Sequence, residues 1–243
     1  SAGTLVALAD RLDSLVGTFA MGHIPTGTKD PYALRRAALG IIRMLIANKI
    51  TDPLTSLFGL AVDGFGEQFA DRKDELVEQL EDFFSVRLKT YLGENRDPEL
   101  VEAVMTAGFD ILPDLVGRLE ALEALRKRAD YETLIVAFRR VINITKDHEV
   151  GKFDVSLLTQ QEEKNLFEKF RATEQDVVRS IDEQNYVSAL ELLTELRPSI
   201  DSYFDKVMVM DKDPNIKANR LAMLRLIGET FLKIADFTRL STQ

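Results

Sequence analysis

Residues 22–40 read GHIPTGTKDPYALRRAALG, and their interpretation decides the fold. Gly22 and Gly27 stand at the spacing of the two glycines of a phosphate loop, and a lysine follows. A Walker loop needs G-x-x-x-x-G-K-[ST] between a strand and a helix. Here the order after Gly27 is Thr28-Lys29, so the lysine and the hydroxyl have exchanged places. The preceding segment is not a strand either. Leu5, Leu8, Leu12, Leu15, Val16 and Phe19 follow the i, i+3, i+4, i+7 rule of an amphipathic helix. The stretch is therefore a Gly/Pro bend between two helices. Asp30 is placed to cap the second and Pro31 to occupy its first turn. Its inner face carries Leu34, Ala37, Ala38, Ile41, Ile42 and Leu45.

The same period continues along the chain. Further helix starts are signalled at Asp52-Pro53 and Asp97-Pro98, and a long charged helix runs from Glu75 to Leu92. Ile111–Arg128 and Glu132–Ile144 form two more, broken near Asp130. Thr145–Thr159 is polar and aperiodic and reads as a long loop. Gln160–Ile181, Tyr186–Glu195, Pro198–Val207 and Asn215–Phe237 complete the set. Only Val207–Met210 alternates as a strand would. The class is all-α, with two packed helical domains at 1–112 and 113–243.

Composition narrows the chemistry. The 243 residues are 45% apolar and 29% charged, ordinary for a globular protein with a substantial core. The absence of cysteine excludes disulfides, thiolate metal sites and a catalytic thiol, and accords with a reducing cytosol. No apolar run is long enough to span a bilayer, and no signal peptide opens the chain. From Ser1 the sequence enters a helix almost at once, as a piece of a longer protein would. A net charge of −9 disfavours indiscriminate polyanion binding but leaves room for a local basic patch.

Asp10 and Asp13 lie at i and i+3 on one helical face, close enough to share a hard cation. Two carboxylates are too few for a site, and His23 and His148 have no evident relation to them. Solvated helix charge, or a bond to Arg11 or a neighbouring helix, accounts for the pair, and no metal site is expected. With two histidines and no cysteine, nucleophilic triads lack material, and no catalytic residue is assigned.

Three basic clusters remain. Lys29, Arg35 and Arg36 surround the opening bend. Arg126, Lys127 and Arg128 end one helix, and Arg139, Arg140, Asn143 and Lys146 lie toward the end of the next. Lys212, Lys217, Asn219, Arg220 and Arg225 mark the start of the last long helix. Arginine offers a rigid fork to phosphate and asparagine can read a base edge. The same residues can also complement a helix dipole or solvate a surface.

ADRLDSLVGTFAMGHIPTGTKDPYALRRAALGIIRML (9–45), FRRVINI (138–144) and SYFDKVMVMDKDPNIKANRLAMLRLIGETFLKIADFTRL (202–240) resemble the β subunit of bacterial-type heterotetrameric glycyl-tRNA synthetase, in the family's order. Family β subunits are much longer, so the likeness is to their C-terminal part. ALELLTELRPSIDSYFDKVMV (189–209) and NRLAMLRLI (219–227) resemble the DALR anticodon-binding bundle, through the surrounding pattern rather than its four letters. ALADRLD (7–13) is similar to a late helix of HD phosphohydrolases, whose His-Asp elements would precede residue 1.

The resemblance implies a cytoplasmic α2β2 ligase whose α subunit holds glycine, ATP and Mg and carries out catalysis. This part of β would be non-catalytic, would need no cofactor, and would bind glycine tRNA through its anticodon. Its protein partners would be the α subunit and the rest of β. Arg139, Arg140, Asn219 and Arg220 are the first residues expected to contact tRNA. Arg126, Arg128, Lys146 and Lys217 follow for phosphate, and Lys29, Arg35 and Arg36 for a weaker RNA or subunit contact. The alternatives are a helical scaffold with little RNA affinity, and a hydrolase using Asp10 and Asp13.

Overall fold

The computed structural model describes residues 2–25, 29–148 and 151–242, and among these it is all-α, with no strand. Gly27-Thr28 of the near-miss phosphate loop lies outside the described residues. The chain forms two compact units, Ser1–Val101 with Gly108–Val116, and Glu102–Ala107 with Gly117–Gln243. The division thus runs through α5 (Pro98–Thr106) and α6 (Leu112–Arg126) rather than through a linker.

The first unit contains α1 (Ala2–Ala20), α2 (Leu34–Ala47), α3 (Leu54–Asp63) and α4 (Lys73–Gly93), with a 3-10 turn at Gly66–Arg72. Its core is the expected one except at Leu5, which is 60% exposed, and Ala37, which is half-buried. Leu12, Leu15, Val16 and Phe19 of α1 meet Ile41, Ile42 and Leu45 of α2 and Leu80, Phe83, Phe84 and Leu88 of α4. Phe19 packs edge-on to Phe83 at 5.0 Å, and Phe58 lies 4.9 Å from Phe84. Each such side chain, fully buried, contributes about 1.5–3 kcal/mol.

Two helix starts differ from the sequence expectation. Helix α2 begins at Leu34, not at Pro31, because Pro31 and Tyr32 form a turn and Ala33 adopts φ 56°. Asp30 still caps it, from four residues upstream: Oδ1 accepts from Leu34 N at 2.8 Å and Oδ2 from Arg35 N at 3.1 Å. Helix α3 has Pro53 before it, and its first donors are met from far along the chain. Leu54 N donates to Asp110 O at 2.8 Å, and Thr55 N and Oγ1 donate to the Asp110 carboxylate at 2.9 and 3.0 Å.

The second unit contains α7 (Tyr131–Thr145), α8 (Gln161–Asp182), α9 (Tyr186–Thr194), α10 (Arg197–Lys206) and α11 (Pro214–Leu232). Helix α7 packs on α10 and α11, and α8 on α9, α10 and α11. Phe138 of α7 lies 4.3 Å from Phe231 of α11 and 5.1 Å from Phe237, which closes the core beyond the helix. Helix α11 therefore ends at Leu232, short of the expected Phe237. Asp236 turns the chain there, accepting from Thr238 N at 3.0 Å and Thr238 Oγ1 at 2.6 Å. The alternation at Val207–Met210 is one of burial without strand pairing. Val207 and Val209 are inside, while Met208 is 70% exposed and Met210 40%.

Candidate nucleic-acid interface

Helix α7 buries one face and leaves the other to solvent. Leu134, Ile135, Ala137, Phe138, Val141 and Ile142 are inside. The 3.6-residue period then puts Arg139, Asn143 and Lys146 in line at i, i+4 and i+7, with Arg140 beside them. Arg140, Asn143 and Lys146 are exposed and Arg139 half-buried. The stripe runs roughly 10 Å at 1.5 Å per residue. The Arg140 guanidinium stacks 4.2 Å over the Phe204 ring, which holds its plane while leaving its edge donors outside the stack.

Where α7 ends, Arg225 of α11 crosses to it. Its Nη2 donates to Thr145 O at 2.6 Å and more weakly to His148 O at 3.5 Å. This satisfies carbonyls that a helix end leaves without partners and complements its negative pole. Beside Arg225 runs a groove of about 200 Å³, lined among others by Ile142, Lys146, Gly228, Glu229 and Leu232. A larger cavity of about 550 Å³ shares Arg225 and Glu229 with it and adds His148, Lys152 and Phe153. Lys146 thus belongs both to the α7 stripe and to the groove.

Two of the four residues first expected on the RNA surface are instead inside the unit. The Arg220 side chain is 2% exposed, and its Nε donates to Glu163 Oε1, itself fully buried. Its Nη1 donates to Asp211 Oδ2 at 2.6 Å and to Met208 O at 2.8 Å. Burial works against the charge, but the hydrogen bonds and attraction of Glu163 and Asp211 outweigh it and leave the Arg220 pKa above its ordinary value. Glu163 also caps α8, its Oε2 accepting from Thr159 N at 2.8 Å and Gln160 N at 2.7 Å. Burial pushes the neighbouring Tyr203 hydroxyl pKa up, and Glu163 adds to it.

Asn219 is 3% exposed and fastens the loop before α8. Its Oδ1 accepts from Asp154 N at 2.7 Å, and its Nδ2 donates to Asp154 O at 2.9 Å. Asn219 has both side-chain amide atoms engaged, and the buried Arg220 has its Nε and Nη1 engaged, so the expectation of direct RNA contact is corrected for each. A cation surrounded by its own acceptors cannot present the same donors to phosphate.

The other expected residues are dispersed. Arg128 forms a two-pronged pair with Asp130, at 2.9 and 3.0 Å, which raises its own pKa and lowers that of Asp130. Arg126 is exposed at the end of α6, at the opposite end of α7 from Lys146. Lys217 is half-buried in the first turn of α11. In the first unit Lys29 and Arg36 are exposed and Arg35 is half-buried. Asp10 and Asp13 are exposed on α1, and among the described residues no group of three or more His, Cys, Asp or Glu could hold a metal.

Glu229 and Lys152 escaped the sequence reading, His148 stood there only as a histidine unrelated to Asp10 and Asp13, and Arg225 only as one member of a basic cluster. Arg225 and His148 meet across 77 positions of sequence, for which a local pattern carries no signal.

Residues 1–106 match the family model of the glycyl-tRNA synthetase beta subunit, and residues 134–238 that of the DALR anticodon binding domain. The second match spans α7 to α11, which carry the exposed stripe and the groove. Similar curated proteins include the glycine–tRNA ligase beta subunits of Geotalea daltonii and Myxococcus xanthus. Each is 38% identical, over 98% and 99% of this chain. That of Desulforamulus reducens is 36% identical over 98% of the chain. The alignments cover 35%, 36% and 35% of those relatives, so the chain spans about a third of their length. Among the described residues no helix is long and apolar enough to cross a membrane. With two models in tandem and this chain aligned nearly end to end with about a third of each relative, the chain belongs to the glycyl-tRNA synthetase β-subunit family.

Proposed function

We propose that this chain is the tRNA-binding, anticodon-recognising portion of a glycyl-tRNA synthetase β subunit. It would support ATP-dependent glycylation by the α subunit without catalysing a step itself. The observation that carries this reading is the solvent face of α7, where Arg139, Arg140, Asn143 and Lys146 line up within the segment matched by the anticodon-binding model. Phosphate contacts from the cations position the strand, and unstacked anticodon bases are read by side chains beside it. Asn219 and Arg220 act behind this surface by holding the loop before α8 and the 207–211 segment in place.

The partners under this reading are glycine tRNA, the α subunit and the remainder of β, in the cytoplasm. ATP and Mg belong to the α subunit, and this chain requires no cofactor. Lys29, Arg35 and Arg36 of the first unit form a secondary RNA or subunit contact. A scaffold role has support of its own in α1, where Leu5 is 60% and Val6 69% exposed. Those side chains suit a protein surface better than RNA.

Filter binding of labelled glycine tRNA at low and moderate salt tests the proposal. Replacing Arg139 and Lys146 together by Ala should weaken binding and flatten the log–log salt dependence by about 1.4–1.8 in slope, about 0.7–0.9 for each lost phosphate contact. A chain with no affinity even at low salt would instead be the scaffold alone.

A further inference from the structure

Glycine is a poorer helix former than any residue but proline, yet Gly40 stands in the middle of α2. A cation from the neighbouring α1 accounts for it. The Arg11 guanidinium lies directly on the bare backbone of Gly40, where a β-carbon would overlap Nη1 and come within 3.2 Å of Cζ. Arg36 and Arg43 stand at i−4 and i+3 from Gly40, so one arginine flanks that guanidinium on each side along the same helix face. All three are exposed. Among the described residues Arg11 and Arg36 make no hydrogen bond or ion pair, and neither Asp10 nor Asp13 reaches Arg11. Arg43 rests against the ring of Tyr91, 5.6 Å from its centroid. Helix α2 carries no acidic residue from Leu34 to Ala47. In a chain of net charge −9, three guanidinia without a counter-ion thus meet within about 10 Å of helix, at 1.5 Å per residue.

This arrangement discriminates between ligand classes. Three cations repel a metal ion. A carboxylate pairs with one guanidinium fork, so a single acidic side chain would leave two of the three unanswered. Phosphate presents oxygens in several directions, and arginine is the side chain whose rigid fork matches it. Three forks spread over two helical turns exceed what one phosphate needs and suit two that are joined. We propose that Arg11, Arg36 and Arg43, grouped around Gly40, bind a pair of linked phosphates, supplied either by a free diphosphate or by successive phosphodiesters of an RNA backbone. The inference gives Arg36 a ligand of stated chemistry and adds Arg11 and Arg43 to it, and it does not rest on the α7 surface.

Two measurements on the 243-residue chain at low salt separate the sources: calorimetric titration with inorganic pyrophosphate, and anisotropy with a labelled blunt-ended RNA duplex. Heat with pyrophosphate assigns the site to a free diphosphate, and binding of the duplex alone assigns it to an RNA backbone. In either case Arg36→Ala with Arg43→Ala should weaken the ligand roughly tenfold or more. Gly40→Ala gives a second, independent readout. Its β-carbon displaces the flexible end of Arg11, so the ligand should bind about threefold more weakly, while the urea midpoint of the first unit rises because alanine favours the helix. Three results would overturn the site: neither ligand binds, the double variant binds as tightly as the unaltered chain, or poly-glutamate displaces the bound ligand as well as pyrophosphate does. The α7 surface is decided separately, by glycine tRNA and the Arg139→Ala, Lys146→Ala variant.

Discussion

Replacing Arg220 by Ala separates a structural cation from a ligand-binding one. The guanidinium is 2% exposed and joins three segments: Glu163 at the start of α8, Asp211, and the backbone at Met208. Removing one partner of a buried ion pair costs about 3–5 kcal/mol, chiefly because the other charge is left without its counter-ion. Glu163 would then lie fully buried with only the Thr159 and Gln160 donors, so the loss falls in that range. Against a total stability of about 5–15 kcal/mol for a typical domain, this is a large fraction. About 4 kcal/mol corresponds to roughly a thousandfold change in the opening equilibrium, since each 1.4 kcal/mol is tenfold. Native-state hydrogen exchange reads this locally. Amides at the start of α8 and in α11 should lose about three orders of magnitude of protection, and those of α1 to α4 should not change. Glu163→Ala should cost as much, plus about 1 kcal/mol for the lost cap. The double variant should cost less than the sum, because no buried carboxylate is stranded opposite an absent guanidinium. A loss below about 1 kcal/mol in Arg220→Ala, with weakened tRNA binding, would refute the reasoning and put the guanidinium on RNA.

Asn219→Ala should cost about 1–3 kcal/mol locally, because it removes both bonds to the Asp154 backbone. Limited proteolysis should then cut within residues 151–160 sooner, while the helices keep their protection. The Glu81 pKa lies above the ordinary carboxylate range, first through burial and then through the nearby charges of Asp110, Asp82 and Glu78. Its ionised form therefore opposes folding at neutral pH, and that penalty fades as pH falls through the raised folded pKa. Glu81→Gln should accordingly stabilise the first unit by about 0.5 kcal/mol or less at pH 7, in view of solvent screening. The gain should vanish below the ordinary glutamate pKa of about 4.3, as urea titrations at several pH values will show.

Much of the architecture is legible because a helix reports its own burial every 3.6 residues. Leu76, Leu80, Phe83, Phe84 and Leu88 could be assigned to one buried face of α4 from their spacing alone. Caps were less legible where they come from elsewhere. Asp97 caps α5 locally, its Oδ1 accepting from Glu99 N at 2.9 Å, and was readable. Asp110 serves α3 from 55 residues away, and nothing near Pro53 announces it. At Asp30 the residue type was readable, but the left-handed Ala33 shifts the helix start and makes the capping bonds span four and five residues.

The candidate site divides in the same way. By itself the sequence determined the helical class, most of the buried face of α1, α2 and α4, and the motifs of the family, since all depend on residue type and near-neighbour spacing. It also grouped Arg139, Arg140 and Lys146 toward the end of one helix, and the structure adds that the apolar residues of α7 occupy the other side. Only the tertiary structure decided which cations stay outside. Arg220 and Arg225 lie five residues apart on α11, yet one is sealed against Glu163 and Asp211 and the other borders an open groove. A guanidinium has the same charge in either place. Its surroundings are set by acceptors on other segments, from Glu163 57 positions away to Thr145 80 positions away, whose arrival depends on the packing of whole helices.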